Sequence, residues 1–231
     1  MTLERVEYQD GGTALTGWLA RPAGDPLAAV LVFPTIANVT PATERRARML
    51  ADAGYLALIA DFYGEPVTDF AAAGPLAAKL RADAGLYRRR LTAALAALRA
   101  KAPGLPLAAI GYCMGGQAAL ELVREGEDLV LAASFHGLLA TDKPAHRRFP
   151  GRILVCHGDA DPMVPRAQVL AFWEEMDAVG NAWHFHSYSG VKHGFTDPGG
   201  DARGLPAIAY DASADRQSWG ALMGLLDELV A

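Results

Sequence analysis

The chain alternates short apolar runs with longer segments whose apolar residues recur every three to four positions. The runs read as strands and the segments as helices. Leu3–Tyr8 and Leu15–Ala20 alternate on either side of Asp10-Gly11-Gly12, which predicts an opening hairpin-like pair. Ala28–Phe33 is nearly continuously apolar, as in a strand covered on both faces. Thr40 as N-cap and Pro41 in the first helical position start a helix that runs through Ala53 and stops at Gly54. Tyr55–Ala60 is the next strand, ending at Asp61-Phe62-Tyr63-Gly64. An Ala-rich helical piece is expected around Ala71–Ala82, within a lid-like excursion over Glu65–Gly85. Leu86–Ala102 is helical, with Leu91, Leu95 and Leu98 on one face.

The second half continues the pattern. Leu107–Ile110 is a short strand that ends in Gly111-Tyr112-Cys113-Met114-Gly115-Gly116, and Gln117–Val123 continue as a helix. Leu129–Phe135 and Arg152–His157 are further buried strands. A helix then carries Val169, Phe172, Trp173 and Met176 on one side, and Trp183–Tyr188 alternates as a strand. Gly199–Asp211 is expected to be loop, and a last helix near Ala214–Leu229 carries Trp219, Leu222, Leu226 and Leu229 inward. This β-α-β order predicts an α/β fold, a mostly parallel central sheet with helices on both faces, as a single domain over 1–231. Functional groups then belong at the C-terminal ends of the strands.

Composition narrows the class. Apolar residues make up 52% of the 231 residues and the formal net charge is -5, so disorder and nucleic-acid binding are both disfavoured. The most basic run, Arg88-Arg89-Arg90, falls on a predicted helix and reads as a solvated face. Two cysteines, Cys113 and Cys156, make no disulfide framework and read as thiols of a reducing compartment. The first residues lack a signal-peptide pattern and no apolar run reaches spanning length, so the expected location is the cytoplasm, with no membrane partner. Monomer and homodimer are both compatible with helix faces that the core accounts for.

The candidate chemistry begins at Gly111–Gly115, a glycine-x-nucleophile-x-glycine pattern with cysteine in the central place. A side chain held on a sharp strand-to-helix turn needs glycines two residues before and after to relieve crowding. The following helix directs free N–H groups at the sulfur and favours its thiolate. After the strands Arg152–His157 and Trp183–Tyr188 come Asp159-Ala160-Asp161 and Lys192-His193-Gly194-Phe195, respectively. The chain order nucleophile, acid, histidine is that of α/β-hydrolase triads. Cys113, His193 and Asp161 are therefore the expected catalytic set, with Asp159 an alternative acid. The oxyanion donors are expected to be the Met114 N–H and one from Thr35 or Ile36. His136 and His157 follow strands and are candidates for polar lining. His184 and His186 share one strand face without a third ligand at suitable spacing, and read as ordinary histidines rather than a metal site.

These motifs resemble the dienelactone hydrolase family along nearly the whole chain: Val30–Val39, Gly54–Gly64, Ile110–Gly116, Ser134–Gly137, Val155–Pro165, Gly190–Phe195 and Tyr210–Trp219. The resemblance implies an α/β-hydrolase fold, no cofactor or metal, and hydrolysis of a small-molecule ester or lactone through an acyl-thioester. It carries the nucleophile to Cys113, its partners to Asp161 and His193, and the oxyanion donors to Ile36 and Met114. Two departures stand out. Family members place a glutamate, paired with the resting thiol, where this chain has Thr35. They hold a substrate carboxylate with two arginines, where this chain has Glu65 and Asp197. With Tyr63, His136 and Phe195, these positions are the candidate pocket residues. Neutral esters or lactones are the expected substrates. The family's anionic dienelactone, or a non-catalytic small-molecule binding role, are the alternatives.

Overall fold

The computed structural model describes residues 2–230. Among the described residues, eight strands, mostly parallel, and six α-helices build the expected α/β fold. Two compact units divide the chain, Met1–Ala109 and Ile110–Ala231.

In the first unit, β1 (Glu4–Asp10) and β2 (Thr13–Ala20) form the expected antiparallel hairpin. β2 pairs antiparallel with β4 (Leu56–Ile59), and β4 pairs parallel with β3 (Ala29–Phe33), Leu31 opposite Leu58. Every residue of β3 and β4 is buried, which is what their unbroken apolar runs require. Helix α1 (Pro41–Asp52) starts as anticipated, with the Thr40 hydroxyl accepting from the Thr43 N–H. Helices α2 (Phe70–Arg81) and α3 (Ala84–Lys101) are capped in the same way by Asp69 and Asp83.

The arginine run on α3 is a solvated face only at Arg89, which is exposed; Arg88 and Arg90 are buried. Arg90 stands three residues after Tyr87 and four before Ala94, on the buried stripe of the helix, and is only 6% exposed. Its guanidinium donates to Asp10 Oδ2 (2.9 Å) and to the Phe62 carbonyl (2.6 Å). Arg88 is buried as well. Charge alone suggested solvent; the helical register puts these heads inside, where a carboxylate and a carbonyl satisfy Arg90.

β5 (Leu107–Tyr112) carries the division between the units. In the second unit, β6 (Leu131–Phe135), β7 (Arg152–Gly158) and β8 (Ala182–Tyr188) pair parallel in that order. Helices α4 (Met114–Glu125), α5 (Arg166–Ala178) and α6 (Ala212–Val230) complete it. The fully buried Arg124 of α4 bonds Glu121, both carboxylate oxygens of Glu175 on α5, and the Leu139 carbonyl. The segment expected as loop over Gly199–Asp211 contains one 3₁₀ turn, Asp201–Arg203. On α6, Leu222, Leu225 and Leu226 are buried, while Trp219 and Leu229 are only half-buried.

Candidate active site

Cys113 occupies the turn between β5 and α4 with φ 57° and ψ -117°, a conformation that costs a non-glycine residue about 1–3 kcal/mol. The flanking glycines are there for steric reasons. A Cβ on Gly111 would lie 1.8 Å from the Gly115 carbonyl oxygen, and one on Gly116 would lie 2.6 Å from Ser134 Oγ. The Cys113 carbonyl accepts from the N–H groups of Gly116 (3.0 Å) and Gln117 (3.3 Å), which starts α4 directly behind the sulfur-bearing residue. No side chain caps this helix. Its positive end acts on the half-buried thiol.

The loops after β7 and β8 come together. The Ala160 N–H donates to the Val191 carbonyl (2.9 Å), and the Asp159 N–H to Tyr188 (2.9 Å). This brackets Asp161 against His193: Nδ1 of the histidine lies 2.7 Å from Oδ2 of the carboxylate, and both side chains are buried. Asp161 Oδ1 takes the Met163 N–H at 2.9 Å. Asp159 turns instead to Arg166, at 2.7 and 2.9 Å, and the tie lowers its pKa through that hydrogen bond. Of the two acids that the sequence left open, only Asp161 meets the histidine.

His193 is fixed by its backbone, which bonds Ala207 (3.1 Å) and Ala209 (3.1 Å). Its Nε2 is buried and has no partner of hydrogen-bonding geometry among the described residues. Burial pushes the imidazole pKa down, but the hydrogen bond to Asp161 and the nearby Cys113 sulfur outweigh it and hold the pKa up at about 9. The environment thus favours an imidazolium at His193.

The other expected pocket residues separate into different roles. His136 is 2% exposed, with φ 41°; its Nδ1 lies 3.1 Å from the Cys113 nitrogen and its Nε2 lies 2.9 Å from Thr196 Oγ1. Phe195 is buried and packs edge-on against His136 at 5.2 Å. Asp197 receives the Arg203 guanidinium at 2.5 Å and the Gly199 N–H at 2.9 Å. The simple picture of Asp197 as an uncompensated acid is therefore corrected. His157 is buried at the end of β7, and burial lowers its pKa. His184 and His186 stand on the exposed side of β8, and no metal-holding cluster exists among the described residues.

Within the first unit, Glu65 is exposed. Thr35 closes its own loop, its hydroxyl accepting from the Ala37 N–H (3.3 Å) and its carbonyl from the Asn38 N–H (3.0 Å). The buried Tyr63 hydroxyl donates to the Ile36 carbonyl at 2.9 Å. Sequence reasoning missed the hub beneath this loop. Asp61 Oδ1 accepts from Asn38 Nδ2 and the N–H groups of Tyr63 and Gly64, while Oδ2 accepts from Thr16 N–H. The signal was an acid directly after an apolar strand, noted only as the strand's end. Thr196 was missed too, having no pattern beyond its closeness to His193.

The model of the dienelactone hydrolase family matches residues 15–230. The chain belongs to that family. A solved dienelactone hydrolase-like promiscuous phosphotriesterase, P91, from metagenomic libraries is 35% identical, with a TM-score of 0.91 over 99% of this chain and 98% of its own. A structure named m3DLH is 36% identical, with a TM-score of 0.93 over 100% of this chain and 99% of its own. A Bradyrhizobium sp. protein named "Probable 2-oxo-3-(5-oxofuran-2-ylidene)propanoate lactonase" is 27% identical over 87% of both chains. This family member is thus a hydrolase homologous to a lactonase. None of its described helices is long and apolar enough to cross a membrane.

Proposed function

We propose that this family member is a cysteine hydrolase of small, uncharged esters or lactones, with Cys113 as nucleophile, His193 as general acid and base, and Asp161 as the carboxylate that orients it. The supporting observation is the buried 2.7 Å contact between His193 and Asp161, in the same unit as a glycine-flanked cysteine elbow. The Cys113 thiolate attacks the carbonyl carbon, a C–S bond forms, and the carbonyl π pair moves onto oxygen. The N–H groups of Ile36 and Met114, assigned by family resemblance, receive that oxyanion. The carbonyl re-forms, the ester C–O bond breaks, and His193 gives its Nε2 proton to the departing alkoxide. Water then attacks the thioester as His193 takes its proton, and the C–S bond breaks to return the thiolate and release the acid.

Preference for uncharged substrates rests on the exposed Glu65 and the Arg203-paired Asp197 standing where family members carry arginines, so that neither position adds a net positive charge for a substrate carboxylate. The family member P91 is itself named for promiscuous phosphotriesterase activity. Residues 1–231 form one catalytic domain on this reading, with no cofactor, acting in the cytoplasm, whose reducing conditions suit two cysteines kept as thiols. The deciding experiment is hydrolysis of p-nitrophenyl acetate before and after iodoacetamide, with Cys113→Ala alongside and intact-mass detection of an acyl adduct of +42 Da, the mass an acetyl group adds to a thiol (about 42). Loss of activity in both cases and an adduct on the parent are expected. A fully active Cys113→Ala variant removes Cys113 from the mechanism. A second comparison, kcat/KM for a neutral lactone against its carboxylate analogue, overturns the substrate class if the anion is preferred.

A further inference from the structure

His136 was expected to line the pocket, yet both of its ring nitrogens are engaged and the ring is buried. The Cys113 N–H can only donate, so the Nδ1 atom 3.1 Å away must present a lone pair. The ring proton then sits on Nε2 and is donated to Thr196 Oγ1 at 2.9 Å. This fixes a neutral tautomer without reference to any titration. The same Cys113 N–H also donates to the Phe135 carbonyl at 3.0 Å, so the bond is shared between two acceptors on consecutive residues. Cys113 and His136 both have positive φ without being glycine. Such strain persists where the surroundings over-determine it. The ring is held by Phe195 at 5.2 Å and by His193, edge-on, at 5.1 Å. Thr196 lies three residues beyond His193 on the same loop. One chain of two hydrogen bonds therefore runs from the histidine loop, through His136, to the backbone of the elbow.

From this geometry we infer that His136 is a positioning residue for Cys113: as a neutral imidazole oriented by Thr196, it holds the elbow amide and sets where the sulfur stands relative to His193. The inference rests on Cys113 being the nucleophile. A displacement of about 1 Å at reacting atoms can cost about 100-fold in rate, so a modest relaxation of the elbow is enough to be measured.

The test compares four variants of the full chain. His136→Leu removes the acceptor, His136→Asn restores an oxygen near the Nδ1 position, Thr196→Val removes the acceptor that fixes the tautomer, and Cys113→Ala controls the underlying reading. The readouts are kcat and KM on p-nitrophenyl acetate, the pH dependence of iodoacetamide alkylation, and thermal melting. His136→Leu should lower kcat by about tenfold or more with KM within about threefold, and shift the alkylation midpoint upward. His136→Asn should recover most of kcat and return that midpoint, which a loss of bulk packing would not do. Thr196→Val should fall between the two. If His136→Leu melts like the parent and keeps kcat within twofold, the inference is overturned. Should His136→Leu fail to fold, parent-like kcat and midpoint in Thr196→Val overturn it instead. An active Cys113→Ala would mean that the nucleophile assignment, rather than the role of His136, has failed.

Discussion

Asp161 Oδ2 and His193 Nδ1 stand 2.7 Å apart and buried, while Asp159, two residues earlier, spends both its oxygens on Arg166. The two acids are separated in sequence by Ala160 alone and opposite in consequence. Asp161→Asn offers the imidazole an amide, which disturbs its tautomer and removes the charge that stabilises the imidazolium; in the serine triad this costs on the order of 10⁴-fold in kcat. A loss of at least about 100-fold in kcat is expected here. Asp159→Asn loses only an ion pair to an exposed arginine and should stay within a few-fold of the parent. Steady-state kinetics of the two variants side by side decide the matter; equal losses would place the acid wrongly.

The raised His193 pKa has a consequence for stability. Its folded value is about 9 against about 6.5 for a free imidazole, so folding favours the protonated ring. The stabilisation is fully present below about pH 6.5 and is lost as pH rises through about 9. Melting temperature should fall over that interval in the parent, and His193→Gln should flatten this part of the curve. A parent-like slope in His193→Gln would show that another group titrates there.

Asp61 accepts from four donors: the N–H groups of Thr16, Tyr63 and Gly64, and the Asn38 amide. Asp61→Ala takes the acceptor from all four, at about 1–3 kcal/mol for each that finds no water. Urea unfolding should show a loss of at least about 3 kcal/mol. A smaller loss, under about 1 kcal/mol, would mean that water replaces the carboxylate without difficulty.

Gly111 leaves no room for a side chain, since an added Cβ meets the Gly115 carbonyl oxygen at 1.8 Å. Gly111→Ala must displace the first turn of α4, which carries the Met114 N–H. Activity should be abolished, and stability should fall by more than the about 1–3 kcal/mol usual for overpacking. Recovery of folded, active enzyme would show that the elbow can shift without harm.

Arg203 neutralises Asp197 through its 2.5 Å contact. Asp197→Asn removes the acid and releases that guanidinium from its carboxylate. The preference for neutral over anionic esters should shrink, read as the ratio of their kcat/KM values. Arg203→Ala should move the ratio the other way. If neither variant moves it, the pair does not act on substrate charge.

Much of this was legible along the chain. β3 and β4 are continuous apolar runs, which only burial on both faces accommodates, and Thr40-Pro41 announced a helix start that the Thr40 hydroxyl makes. Gly111 and Gly115 marked the elbow, and at Gly111 close approach excludes any Cβ, a constraint written into residue type. Local sterics and periodicity are properties of neighbours in sequence, so the sequence determined the elements, their order and the elbow.

What it could not determine were relations between distant residues. Asp159 and Asp161 differ only in the direction each carboxylate takes, and the packing of the loops after β7 and β8 decides which one reaches His193. Arg90 looked like solvent-facing charge until tertiary structure supplied Asp10, eighty residues away. Asp197 looked repulsive until Arg203 folded onto it, and His136 looked like lining until its ring met the Cys113 amide. The strength of a charge or a hydrogen-bonding group depends on the partner opposite it and on the water excluded around it. Both are set when the chain closes on itself, because neither the direction of a side chain nor the distance to its partner is encoded by spacing along the backbone.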